Sequence, residues 1–127
     1  GMRGMTGISS DYRDVSAAAE AGNQDASNCL AAYAYRIIKY IGSYIAAMGG
    51  VDVITFTAGL GENAIPLRET ICKAFEFMGL EFDSEANNCR GVEKIITKEG
   101  SKITACVIPT NEEIAICEET VELVKGK

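Results

Sequence analysis

Histidine and tryptophan are both absent from the 127-residue chain. Without histidine, the commonest general base and the commonest transition-metal ligand are missing. No basic patch is visible: lysines and arginines are scattered, the net charge is −6 and the pI about 4.7. That balance excludes an ordinary nucleic-acid binder, and an anionic ligand has to be held by local groups. The five cysteines, Cys29, Cys72, Cys89, Cys106 and Cys117, are odd in number and no two share C-x-x-C spacing. Disulfides and zinc are not expected, and reduced thiols in a cytoplasmic protein fit best. The most apolar window, Leu30 to Met48, carries Arg36 and Lys39 in its middle and Gly42. It reads as a core or interface helix, so no membrane partner is expected. No signal peptide, repeat or low-complexity tract is seen.

What is present is a hydrophobic fraction of 47%, enough for one modest globular domain. The chain enters directly into motif-bearing sequence, and we expect a piece of a longer protein. Gly1 to Ser10 reads as a loop, followed by a short helix from about Asp14 to Ala21, capped by Asp14 or a nearby polar residue and stopped by Gly22. A long helix from about Asp25 to Met48 shows the stripe Leu30, Tyr33, Ile37, Tyr40, Ile41, Tyr44, Met48, and Gly49-Gly50 ends it. Val51 to Thr57 reads as a buried strand, and a helix from about Ala64 to Met78 follows a glycine turn. Glu81 to Gly91 reads as loop, Glu93 to Thr97 and Ile103 to Ile108 as strands, and Asn111 to Val124 as a last helix. Alternating helices and strands predict an α/β fold.

Three segments place polar or small residues where a helix begins: Asp11-Tyr12-Arg13, Gly59-Leu60-Gly61-Glu62-Asn63, and Thr110-Asn111-Glu112-Glu113. In open α/β sheets such junctions gather at the carboxyl ends of the strands, where ligands bind. Glycines permit positive φ and close backbone approach, and a helix start behind them offers unpaired N–H groups. The same residues also make a plain βα turn. Arg13 suits a phosphate or the face of a base and Asp11 a ribose hydroxyl, or the two simply cap a helix and pair. Glu112 suits Mg²⁺ held against phosphate oxygens, or T-N-E-E is an N-cap with first-turn acids.

Together these segments resemble the acetate kinase family. The residues carrying the resemblance are S-S-D-Y-R-D at Ser9 to Asp14, A-Y-R-I-I-K-Y-I-G-S-Y-I-A-A-M at Ala34 to Met48, F-T-A-G-L-G-E-N at Phe56 to Asn63, and V-I-P-T-N-E-E at Val107 to Glu113. The resemblance implies the C-terminal part of a ribonuclease H-like domain, of the superfamily of acetate and sugar kinases, heat-shock chaperones and actin. It implies a two-domain enzyme making acetyl phosphate from acetate and ATP, reversibly, with Mg²⁺. By the resemblance Asp11, Tyr12 and Arg13 line the adenosine pocket, Gly59, Leu60, Gly61, Glu62 and Asn63 form the second nucleotide-binding loop, and Glu112 meets Mg²⁺. The family's catalytic aspartate, histidine and arginines lie upstream of these motifs, as do the first strands of the second domain. No catalytic residue is therefore expected in this chain, and part of the sheet is expected to lie outside it. A homodimer is implied, with Tyr33, Ile37, Tyr40, Ile41 and Tyr44 expected at its interface. A propionate or butyrate kinase, or a non-catalytic nucleotide-binding or assembly module, stand as the alternatives.

Overall fold

The computed structural model describes residues 1–125. Among these residues six α-helices and three strands follow in the order α1 (Met2–Thr6), α2 (Tyr12–Glu20), α3 (Gln24–Met48), β1 (Val53–Phe56), α4 (Ala58–Asn63), α5 (Ile65–Lys73), β2 (Lys94–Ile95), β3 (Thr104–Val107) and α6 (Glu112–Lys125), with a 3₁₀ turn at Glu76–Met78. The strands form one mixed sheet in the order β1-β3-β2. β1 and β3 run parallel with Phe56 opposite Val107, and β2 pairs antiparallel to β3. The α/β class is as expected, and one edge of the sheet, β1, has no strand beside it among the described residues.

The main core lies between this sheet and helices α3 and α5. Ile54 and Phe56 of β1, Ala105 and Val107 of β3, Leu67, Ile71 and Cys72 of α5, and Phe75, Leu80 and Ile96 from the connections are all buried in it. Fully burying one such side chain contributes about 1.5–3 kcal/mol. β1 is not buried on both sides, as its apolar run suggests: Val53 and Thr55 are exposed and only the alternate residues face the core. β2 is shorter than the expected strand because the Thr97 hydroxyl, 3.4 Å away, accepts the Ala105 N–H in place of a ladder carbonyl.

A second cluster of Val15, Ala26 and Cys29 joins the first three helices. It explains α1, which the sequence presents as loop: glycines disfavour helix, but Met2 packs on this cluster and Gly7, at φ 69°, closes the turn. α2 begins earlier than expected, capped by Asp11 rather than Asp14. α3 runs from its Asn23 cap to Gly49 in the left-handed conformation. Tyr33, Ile37 and Ile41 are partly buried against the main core. Tyr40 and Tyr44 are exposed, together with Tyr35 and Met48. Every residue of α6 is exposed, Ile114, Ile116, Val121, Leu123 and Val124 included.

The region after β1 departs most from the expected turn. Gly59 and Gly61 lie inside helix α4, and the residue with positive φ is Ala58, at 59°. Gly61 is needed for space instead: a Cβ there would stand 3.1 Å from the carbonyl carbon of Phe56. The expected single helix from Ala64 to Met78 is broken at both ends. Ala64 leaves the helical conformation at φ −88°, ψ 79°, and α5 stops at Lys73 ahead of the 3₁₀ turn. Because α4 must lie directly on the end of β1, Gly61→Val should destabilise the fold by about 1–3 kcal/mol through overpacking, measured as a lowered denaturation midpoint. An unchanged midpoint would show that α4 can lift off Phe56 without loss.

Candidate functional site

Parallel register brings β1 and β3 to an end side by side. Beyond the Phe56–Val107 pair, the Ile108 N–H donates to the Phe56 carbonyl at 2.9 Å. The two chains then leave the sheet from the same edge, one into α4 and the other through Pro109-Thr110 toward α6. Between them lies a cleft of about 530 Å³ lined by Ala58, Gly59, Thr110, Asn111, Glu112 and Glu113. This is the carboxyl-end location at which open α/β sheets bind ligands.

One wall is α4. Gly59 lines the cleft, and nothing lies within 4 Å of where its Cβ would stand. Ala58 beside it holds a left-handed backbone that costs a Cβ-bearing residue about 1–2 kcal/mol. Two of the other expected loop residues turn inward. Leu60 packs against the main core and Gly61 against Phe56. Asn63 donates from Nδ2 to the Gly59 carbonyl at 2.9 Å. The Glu62 carboxylate crosses to the opposite wall, where Oε1 accepts the Thr110 N–H at 2.9 Å and its hydroxyl at 3.2 Å.

That opposite wall begins α6. Asn111 Oδ1 accepts the Ile114 N–H at 3.1 Å, so Asn111 supplies the helix cap, with Glu112 and Glu113 in the first turn behind it. The Glu112 side chain has no hydrogen bond or ion pair among the described residues. Glu113, Asn111 and Thr110 stand beside it in the cleft wall, an all-oxygen donor set at side-chain level. Such donors suit a hard cation, and Mg²⁺ in particular takes one or two protein carboxylates and completes its shell with water and phosphate oxygens. Among the described residues no three histidine, cysteine or acidic side chains cluster so that they could hold a metal ion by themselves.

Asp11, Tyr12 and Arg13 do not line this cleft. Arg13 closes on Asp11 through two bonds, Nη2 to Oδ2 at 2.6 Å and Nε to Oδ1 at 3.1 Å, while Oδ1 also caps α2 by accepting the Arg13 N–H at 2.8 Å. The Arg13 hydrogen bonds pull the Asp11 carboxyl down to about 2. Tyr12 turns inward, its ring centroid 5.9 Å from that of Tyr33, and burial raises its hydroxyl's pKa. Tyr12 and Leu60 thus pack on one core.

Arg68 is the residue that reading the sequence for chemistry passes over. It is fully buried, and its guanidinium contacts Gly61, Glu62, Asn87 and Cys89. Its signal was phase: in Ala64, Arg68, Ile71, Phe75 an arginine occupies a core position of a helical stripe. Burial lowers its pKa, but an arginine stays protonated all the same.

The structure is an α/β fold with a cleft at a βα junction. The acetokinase family profile matches residues 1–118. An acetate kinase of Lachnoclostridium phytofermentans is 55% identical over 124 residues, which are 98% of this chain and 31% of that protein. The crystal structure of Porphyromonas gingivalis acetate kinase superposes with a TM-score of 0.87 at 47% identity, over 98% of this chain and 31% of that one. A propionate kinase from Francisella tularensis gives 0.77 at 32% identity, over 89% of this chain and 28% of that one. The chain belongs to the acetokinase family, and it spans about a third of the length of these relatives.

Proposed function

We propose that this chain is the C-terminal nucleotide-binding part of a two-domain acetate kinase, which transfers a phosphoryl group reversibly between ATP and acetate, giving acetyl phosphate and ADP. The observation that carries this reading is the cleft at the aligned ends of β1 and β3, with Gly59 on one wall and the unengaged Glu112 carboxylate on the other, in a chain of this family. Phosphoryl transfer runs mainly on positioning and charge neutralisation. In this reading the Gly59–Asn63 segment gives the phosphates close backbone approach. Glu112 holds Mg²⁺, which would neutralise phosphate charge. Asp11, Tyr12 and Arg13 serve the adenosine, Arg13 exchanging part of its exposed pairing with Asp11 for the nucleotide. Catalytic groups come from the rest of the enzyme.

The likeness to a propionate kinase favours one second reading, in which the acyl acceptor is a carbon longer; the acyl pocket has no assigned residue in this chain. We place the protein in the cytoplasm. Five unpaired cysteines support this, and among the described residues no helix is long and apolar enough to cross a membrane. The exposed face of α3, with Tyr35, Tyr40, Tyr44 and Met48, supports a homodimer.

Three measurements test these statements. In a hydroxamate assay the complete enzyme should form acetyl phosphate and this chain alone should not; product from the chain alone would overturn the division of labour. In the complete enzyme, Glu112→Ala should raise the Mg²⁺ concentration needed for half-maximal rate by roughly tenfold or more, as loss of a buttressing metal contact does. Identical Mg²⁺ titrations would leave Glu112 as a first-turn acid only. Light scattering should give a dimer mass that Tyr40→Glu reduces, and a monomer mass for the unaltered protein would remove the interface.

A further inference from the structure

Helix α4 ends where a longer helix would continue. In an unbroken α-helix the carbonyls of Gly61 and Glu62 would accept from the N–H groups of residues 65 and 66. Ala64 has left the helical conformation, and residue 66 is proline, which has no N–H to give. Arg68 answers both losses with one nitrogen: Nη1 donates to the Gly61 carbonyl at 2.9 Å and to the Glu62 carbonyl at 2.8 Å. Its other nitrogens reach a different segment. Nε donates to Asn87 Oδ1 at 2.8 Å, and Nη2 to the carbonyls of Asn87 and Cys89 at 2.9 and 2.7 Å. Asn87 is itself buried and donates to the Ile65 carbonyl at 3.1 Å.

Glu62, whose carbonyl Arg68 holds, is the same residue whose carboxylate ties Thr110 across the cleft. A continuous chain of bonds therefore runs from a fully buried cation, through the end of α4, to the wall that carries Asn111 and Glu112. The guanidinium also places a positive charge at the carbonyl end of α4, where a helix favours one.

We infer that Arg68 is a positioning residue for the cleft, fixing through the Gly61 and Glu62 carbonyls the distance between its two walls and hence its fit to a nucleotide phosphate. The inference rests on the acetate kinase reading above. Arg68 touches no ligand in it. A lysine keeps the charge but not the fork, since an ammonium cannot span both carbonyls and the Asn87 segment in the same plane.

The test uses the complete enzyme and MgADP as the probe. Arg68→Lys should raise the MgADP dissociation constant by roughly tenfold or more, as small displacements of a binding group do, while the KM for acetate stays at its parent value. Asn87→Ala is the comparison. Of the Arg68 bonds it removes only the one at Nε, and with it Asn87's own bond to the Ile65 carbonyl, so it should lower the melting temperature yet leave MgADP affinity within about twofold, the Gly61 and Glu62 carbonyls being still held. An Arg68→Lys enzyme with parent MgADP affinity, or an Asn87→Ala enzyme that loses as much affinity as Arg68→Lys, overturns the inference. Should Arg68→Lys fail to fold, the unaltered enzyme answers instead: saturation with MgADP should slow exchange of the Arg68 side-chain N–H protons several-fold in ¹⁵N NMR, and unchanged exchange overturns it. Absence of MgADP binding by the unaltered enzyme overturns the cleft reading itself, a separate result from any of these.

Discussion

A carbonyl that loses its N–H partner inside a protein must find another donor or cost about 1–3 kcal/mol. The break at Ala64 and the proline at residue 66 create that demand at the end of α4, and Arg68 meets it. Among the described residues no carboxylate pairs with the guanidinium. It is solvated by five neutral oxygens, from Gly61, Glu62, Cys89 and both the side chain and backbone of Asn87. Much of the surrounding structure depends on this arrangement. The long connection between α5 and β2 has little regular structure, and Arg68 is what fastens its Asn87–Cys89 stretch. The Gly91 N–H then adds a further bond to the Glu62 carbonyl at 3.3 Å.

The cleft follows from register and close packing acting together. Parallel pairing ends β1 and β3 at one level, and Gly61 lets α4 settle directly on the backbone of Phe56. A side chain at that position would press on the Phe56 backbone and force α4 or β1 to shift. The segment proposed to serve the adenosine is built differently. Asp11 and Arg13 hold one another at the surface, and an exposed pair of this kind contributes little stability.

Elements governed by local pattern were legible in the sequence. α3 has a long stripe with Asn23 before it and Gly49 after it, and β3 alternates between terminating residues. Where tertiary contacts decide, the pattern misleads. Glycines 59 and 61 signal a turn, yet packing on β1 makes them helical. Gly4 and Thr6 argue against α1, yet Met2 finds a core. The stripe of α3 did not reveal that Tyr33, Ile37 and Ile41 face the main core while Tyr40 and Tyr44 face solvent, because the apolar residues occupy more than one face. Of the site, Gly59 and Glu112 were legible as chemistry and do line the cleft. Arg68 and Asn87 were not, because their work is to satisfy backbone groups whose exposure arises only once α4 breaks from α5. The partnership spans 19 residues into a stretch that reads as loop.

Helix α6 carries Glu112 in its first turn, and every one of its residues is exposed. Its fixed points in the structure are the Asn111 cap and, just before it, the Glu62–Thr110 bonds. If Glu112 holds a cation as proposed, its apparent affinity scales with the fraction of time the helix points the carboxylate correctly. Whatever clamps the outer face of α6 raises that fraction without touching the metal, and the metal in turn strengthens the clamp by the same factor. Cation binding and the seating of this helix are in that sense one equilibrium, read from two ends.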